Sequence, residues 1–384
     1  MRKYNILFLI AGLSICLSCR KNDSPTVFNY TVPTTYDFTN FNDSGQLKLL
    51  SMADQIVAAI NLGNNSGTVV SAQMLIDIFN NTGGYFNDSA LQLNASGLRL
   101  VDYTSTAAQA DILNYIDSIG LYSQSITTAS PGIAGVSPSV ANPSKKYLLS
   151  PNGVFFSQLV KKTIMGGICA YEIENVYLTD SVSNSVNNST IVPGLGTAME
   201  HHWDEAFGLW GVPVNFPANT TGLRYFGSYS NQVDAGLHSN SSIMNAFLKG
   251  RAAISNKDLA TKQTQANILI TTFDSLDAAA IVQEMKETDE NIEAGDAIAA
   301  YGTLSESLGF VRNLKYNTGP RVITDAQIAQ LLTLYDSTNP SSPNLYNFVG
   351  ANVNTVAQIE AKTNAIRQLI GTIYEFSSTE LPLL

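Results

Sequence analysis

Apolar residues recur at intervals of three and four along most of this chain, and this spacing is the feature that most constrains its fold. Between Leu47 and Ile60 the apolar positions mostly follow it, and Gly63 ends the run. The period places these side chains on one face of an α-helix, whereas the alternating pattern typical of half-buried strands is not strong anywhere in the sequence. The sequence therefore predicts an all-α fold built as a helical bundle.

The same spacing predicts further helices, separated by segments rich in Ser, Asn, Pro and Gly that are typical of loops. Residues 26–42, which carry several aromatic side chains, are predicted to form an extended arm that packs on the body of the protein. The predicted loops are 120–152, 178–194 and 212–236. The further predicted helices are 71–80, 105–119, 153–177, 196–210, 241–254, 258–286, 288–316, 324–335 and 353–377.

The N-terminus has the pattern of a bacterial lipoprotein signal. Arg2 and Lys3 precede an uncharged apolar stretch at 6–17, and a small residue lies directly before Cys19. This order predicts a signal peptide at 1–18, cleavage before Cys19 and lipid attachment to that cysteine. Because Cys16 stands where a lipoprotein signal usually has leucine, an ordinary cleaved signal with a free Cys19 is the alternative.

Residues 19–35 are then predicted to form a tether and extended arm, and residues 36–384 an all-α domain with two possible halves, 36–236 and 237–384. Once Cys16 is removed and Cys19 is lipidated, Cys169 alone remains. An internal disulfide is therefore excluded, and we expect Cys169 to be buried as a small apolar residue. The formal net charge of −10, without a basic stripe, argues against a nucleic-acid partner.

The segment 196–211 holds two of the three histidines of the whole chain, together with three carboxylates. On a helix, Glu205 lies within reach of His201 four residues before it and of His202 three residues before it. Imidazole nitrogen and carboxylate oxygen together suit zinc or iron. The alternative is a polar helix face, or a His-Glu hydrogen bond that stabilises the bundle. The predicted metal ligands are His202 and Glu205, with His201 as an alternate and Glu172 and Glu306 as more distant candidates.

Two short segments of the sequence resemble each other. In both 204–209 and 305–310 a glutamate precedes a small residue, a large apolar residue, a glycine and another apolar residue. This similarity indicates a duplicated bundle with Glu205 and Glu306 at equivalent positions, and Gly208 and Gly309 at close helix contacts. Separately, Arg251 is flanked by apolar residues, which predicts a structural salt bridge with a buried carboxylate.

Several segments also resemble a known family. The residues concerned are Thr31 to Phe38, the run Glu200-His201-His202-Trp203-Asp204-Glu205-Ala206-Phe207-Gly208, Phe247 to Ile254, and Leu308 to Tyr316. They resemble an uncharacterised domain of unknown function found in lipoproteins of Bacteroidota-type bacteria. Genes of that family often lie beside imelysin-like genes in iron or haem uptake clusters. The resemblance thus implies a role in iron acquisition.

The chain is also similar to imelysins, all-α proteins of two related bundles with a Gly-x-His-x-x-Glu motif. His202 and Glu205 match the motif, whereas Glu200 stands at its glycine position. The leading hypothesis is a non-enzymatic lipoprotein of the outer membrane, anchored through Cys19, that binds a metal, iron or haem for uptake. Its implied partners are an outer-membrane receptor or an imelysin-like protein. The alternatives are an imelysin-like metal-dependent peptidase and a structural adaptor for an outer-membrane transporter.

Overall fold

The computed structural model describes residues 28–87, 90–179, 185–350 and 355–384. The predicted signal peptide and Cys19 lie outside these residues. Helices dominate the described chain, and its one small sheet has two strands, which confirms the predicted all-α class. Among the described helices, none is both long enough and apolar enough to cross a membrane.

The described part of the chain contains thirteen α-helices and two π-helical segments. The π-helical segments, Met165–Ala170 and Glu172–Tyr177, continue directly from the fourth helix. The helices are α1 Ser44–Asn61, α2 Ala72–Phe79, α3 Thr106–Tyr122, α4 Phe156–Ile164, α5 Ala198–Trp210, α6 Phe226–Gln232, α7 Asp234–Leu237, α8 Ser239–Ser255, α9 Leu259–Glu293, α10 Ala297–Asn313, α11 Asp325–Tyr335, α12 Leu345–Val349 and α13 Val356–Ile373.

Most predicted helices are confirmed, but three predictions were wrong. The predicted loop 212–236 contains α6 and most of α7. The break expected near residue 287 lies at Gly295 and Asp296 instead, where the Asp296 carboxylate accepts a hydrogen bond from the backbone N–H of Ala299 and caps α10. The predicted loop 120–152 contains the antiparallel strands β1 (Gly135–Pro138) and β2 (Lys146–Leu149). Strands of four residues are too short to give a recognisable alternation, which explains why the sequence did not predict them.

Helix α9 lies at the centre of the bundle and packs against α8, α10 and α13. Three consecutive alanines, Ala278, Ala279 and Ala280, are completely buried, so neighbours surround this part of the helix on every side. Small side chains here let the neighbouring helices come close. The core is thus organised around one long helix.

The apolar face of α5 forms an aromatic cluster with the N-terminal arm and α8. Tyr36 stacks on Phe207 with ring centroids 3.7 Å apart, and Phe247 meets Phe207 edge-on at 5.5 Å. The indole N–H of Trp203 donates a hydrogen bond to the carbonyl oxygen of Phe247. This packing confirms the expected role of the arm, and it fixes which face of α5 is turned away from the core.

The segment that follows α4 approaches its neighbours very closely. A side chain at Gly166 would overlap Asn313 of α10, and one at Gly167 would overlap Ala108 of α3. Cys169 lies in this segment and is completely buried, as predicted. The two glycines therefore allow the widened helix to pack between α3 and α10.

Gly250 of α8 should be intolerant of any side chain, because a methyl group there would overlap the buried indole of Trp203. We expect Gly250→Ala to lower the free energy of unfolding by about 1–3 kcal/mol, even though alanine favours helix. Urea denaturation would measure this loss. The matched control is Gly45→Ala in α1, where an added methyl group meets no atom within 4 Å. Equal stability of the two variants would contradict the packing argument.

Candidate functional site

Glu205 lies on the polar face of α5 and is the centre of a small hydrogen-bonded group. Its Oε2 is 2.8 Å from Nδ1 of His202, and its Oε1 accepts a hydrogen bond of 3.2 Å from Nε2 of Gln46. Nε2 of His201 lies 3.9 Å from the same Oε1. Both predicted helical pairings of Glu205 are therefore present, and Gln46 of α1 is a partner that the sequence analysis missed.

Gly208, one turn after Glu205, brings α1 to this position. A side-chain carbon at Gly208 would lie 2.8 Å from Cβ of Asp43 and 2.9 Å from Cβ of Gln46. Such distances are shorter than carbon atoms tolerate, so the two helices can approach this closely only at glycine. The predicted close helix contact at Gly208 is confirmed, and it places the Gln46 amide against Glu205.

The π-helical segment contributes two further residues, Glu172 and Tyr177. The Tyr177 ring stacks near His202, with centroids 5.8 Å apart and planes 26° apart. Burial and the nearby charge of Glu205 raise the pKa of Glu172 to about 8, although its hydrogen bond with Tyr177 opposes the rise. Glu172 is therefore a mostly buried acid held close to an ionisable neighbour. We call the group formed by Gln46, Glu172, Tyr177, His201, His202 and Glu205 the His-Glu site.

The His-Glu site is open to solvent on its histidine side. The side chains of His201 and His202 are 29% and 32% exposed, and that of Glu205 is 17% exposed. A cleft of about 390 Å³ adjoins His201, and its walls include Val192 and Leu195. A ligand can therefore reach the carboxylate from outside, while Glu172 lies behind it, only 7% exposed.

Glu306 does not share the partners of Glu205. Its Oε1 lies 2.5 Å from Nζ of Lys162 and accepts a hydrogen bond from the Tyr229 hydroxyl. Burial raises the pKa of Glu306, but the Lys162 ammonium outweighs it, so the net pKa lies below its ordinary value. Glu284 completes this group, with its Oε1 3.4 Å from the same Tyr229 hydroxyl oxygen. We call Lys162, Tyr229, Glu284 and Glu306 the Lys-Glu cluster.

Arg251 forms the buried salt bridge that the sequence predicted. Its Nε and Nη1 lie 2.8 Å from Asp204 and 2.8 Å from Glu200, respectively, and its side chain is 1% exposed. Glu200 also forms a reciprocal capping box with Thr197 at the start of α5. Glu200 thus has two structural roles, both of which fix the orientation of α5.

The arrangement of possible ligands limits what the His-Glu site can hold. Across the residues that the structure describes, no group of three or more His, Cys, Asp or Glu side chains is arranged to hold a metal ion. Glu174, close in sequence to Glu172, is directed elsewhere and accepts a hydrogen bond from Asn317. Protein side chains alone therefore offer an incoming cation the Glu205 carboxylate and a histidine imidazole.

The fold and this site define an all-α protein with an accessible carboxylate-imidazole group on one helix. The chain belongs to the family described as a domain of unknown function, DUF4856, whose model matches residues 28–340. That range includes every residue of the His-Glu site and of the Lys-Glu cluster, whereas α12 and α13 lie beyond it. No curated protein and no solved structure matches the chain.

The environment of Glu172 predicts a pH-dependent loss of stability. Its pKa is 4.5 in an unfolded chain and about 8 in the folded protein, so the unfolded state alone loses the proton between these values. The contribution of Glu172 to the free energy of unfolding is therefore fully present below pH 4.5, and it declines as the pH rises towards 8. Glu172→Gln removes this decline, so its stability relative to wild type should rise by about 1–3 kcal/mol between pH 5 and pH 8.

Urea denaturation at the two pH values would measure this difference. Glu290→Gln, on an exposed position of α9, is the matched control and should leave the pH dependence of wild type unchanged. If Glu172→Gln showed the same pH dependence as wild type, Glu172 would not be protonated in the folded protein.

Proposed function

We propose that this chain is a non-enzymatic lipoprotein of the cell envelope that binds a cation at the His-Glu site, as part of metal or iron uptake. The observation that carries the proposal is the Glu205 carboxylate, which lies between an imidazole and an amide and opens to solvent. The Glu205 carboxylate is reached from solvent on the histidine side, and a negative charge in such a position attracts a cation.

A metal is the leading ligand because imidazole nitrogen and carboxylate oxygen are ligands that zinc and iron accept. His202 and Glu205 provide two ligands, so the metal must bring its other ligands as water or as a chelator such as the porphyrin of haem. A metal that arrives already chelated needs few protein ligands. This requirement favours binding and delivery of a metal complex over the permanent, fully enclosed metal of a structural site.

The anchor belongs to the same proposal. Lipid on Cys19 would hold the protein on the outer membrane, and residues 20–35 would connect the lipid to the helical body. An outer-membrane receptor or an imelysin-like protein would be the partner that delivers or receives the ligand. The predicted signal motif and the resemblance to lipoproteins of iron-uptake clusters support this part of the proposal.

Isothermal titration calorimetry of the purified protein with zinc chloride, with ferrous iron and with haem tests the proposal. We expect binding of at least one of the three, weakened by tenfold or more in His202→Ala and in Glu205→Gln, because each variant removes one of the two ligands. His238→Ala is the matched control, since His238 is an exposed histidine at the start of α8, outside the His-Glu site. Absence of binding by all three, or binding that His202→Ala leaves intact, would overturn the proposed site.

A further inference from the structure

The His-Glu site and the Lys-Glu cluster are built in the same way, and the second contains a positive charge that the first lacks. From this comparison we infer that the His-Glu site is the open member of a pair of equivalent sites, and that it takes a primary ammonium group where the Lys-Glu cluster holds the ammonium of Lys162. The inference rests on the proposed function in one respect, namely that the His-Glu site binds a cation. It adds the chemical class of that cation.

The first correspondence is between the two helix contacts. Glu205 and Glu306 each lie three residues before a glycine that touches a second helix. An added carbon at Gly208 would lie 2.9 Å from Cβ of Gln46, and one at Gly309 would lie 2.7 Å from Cβ of Lys162. In both cases the residue whose Cβ faces the glycine also reaches the glutamate with the end of its side chain. Nε2 of Gln46 lies 3.2 Å from Glu205, and Nζ of Lys162 lies 2.5 Å from Glu306.

The second correspondence is between the residues around each glutamate. In the Lys-Glu cluster, Tyr229 contacts Lys162, and its hydroxyl oxygen lies 3.4 Å from a second acid, Glu284. In the His-Glu site, Tyr177 likewise interacts with Gln46 and with a second acid, Glu172. Each site thus contains a glutamate, a glycine one turn later, a tyrosine and a second, buried glutamate. These four matched features extend the six-residue similarity of the sequence.

The difference between the sites lies at one position. Lys162 is completely buried and supplies a positive charge to Glu306, whereas Gln46 supplies an uncharged amide to Glu205. A glutamine side chain also ends one atom earlier than a lysine side chain. The His-Glu site therefore has the acids of the Lys-Glu cluster without its internal cation, and it has the opening to solvent through which a cation can enter.

The chemistry of the Lys-Glu cluster indicates which kind of cation fits. Nζ of Lys162 meets a carboxylate and a hydroxyl, and it lies 4.2 Å and 4.8 Å from the ring centroids of Tyr229 and Phe310. An ammonium group is satisfied by such hydrogen-bond acceptors and aromatic faces. The stacked rings of Tyr177 and His202 offer an aromatic surface next to Glu205. A bare metal ion would need more ligands than the site supplies.

The test replaces Gln46 with lysine, which would supply the missing charge from within. We expect Gln46→Lys to raise the melting temperature above that of Gln46→Met, the uncharged variant of similar length. We also expect butylammonium chloride to bind wild type in a calorimetric titration, with affinity reduced at least tenfold in Gln46→Lys. Tetramethylammonium chloride, which has no N–H donors, is the control probe and should bind more weakly than butylammonium.

The outcomes separate this inference from the proposed function. A melting temperature of Gln46→Lys at or below that of Gln46→Met, or failure of butylammonium to bind wild type, would overturn the inference. Zinc or haem could bind wild type and Gln46→Lys equally while butylammonium binds neither protein. The proposed function would then stand, and the inference that the His-Glu site takes an ammonium group would be rejected. If butylammonium bound as expected and no metal did, the inference would stand and the metal proposal would fail.

Discussion

The contact between Gly208 and Gln46 is the constraint on which the candidate site depends. Without a side chain on Gly208, α1 comes close enough to α5 for the Gln46 amide to reach Glu205. The aromatic face on the opposite side of α5 and the buried ion pair of Arg251 hold that helix in one orientation. The position of the Glu205 carboxylate therefore follows from packing on both sides of one helix.

Much of this arrangement could be predicted because it is local. Helical spacing alone places His202 and Glu205 on neighbouring turns, and their observed distance of 2.8 Å follows from that spacing. An arginine among apolar residues requires a buried acid, so the partner type of Arg251 was predictable although the identity of Asp204 and Glu200 was not. Periodicity likewise gave the positions of most helices to within a few residues.

The remaining features depend on contacts between distant segments or on backbone that departs from the α-helix. Gln46 lies 159 residues before Glu205, and no local pattern links the two. Glu172 and Tyr177 lie on a π-helical segment, where the side-chain directions expected from an α-helix no longer hold. The sequence predicts that Glu306 is equivalent to Glu205, but it does not reveal that Lys162 forms an ion pair with Glu306.

Helix α9 carries three acids, Asp274, Asp277 and Glu284, that are each at least 95% buried. Burial raises the pKa of every one of them, and it raises that of Glu172 to about 8, so the folded protein holds at least the Glu172 proton, which its unfolded chain would release at neutral pH. Folding of this chain should therefore take up protons from the buffer, and the heat of folding should vary with the ionisation enthalpy of the buffer. A formal charge that counts every acid as ionised accordingly overstates the negative charge of the folded chain.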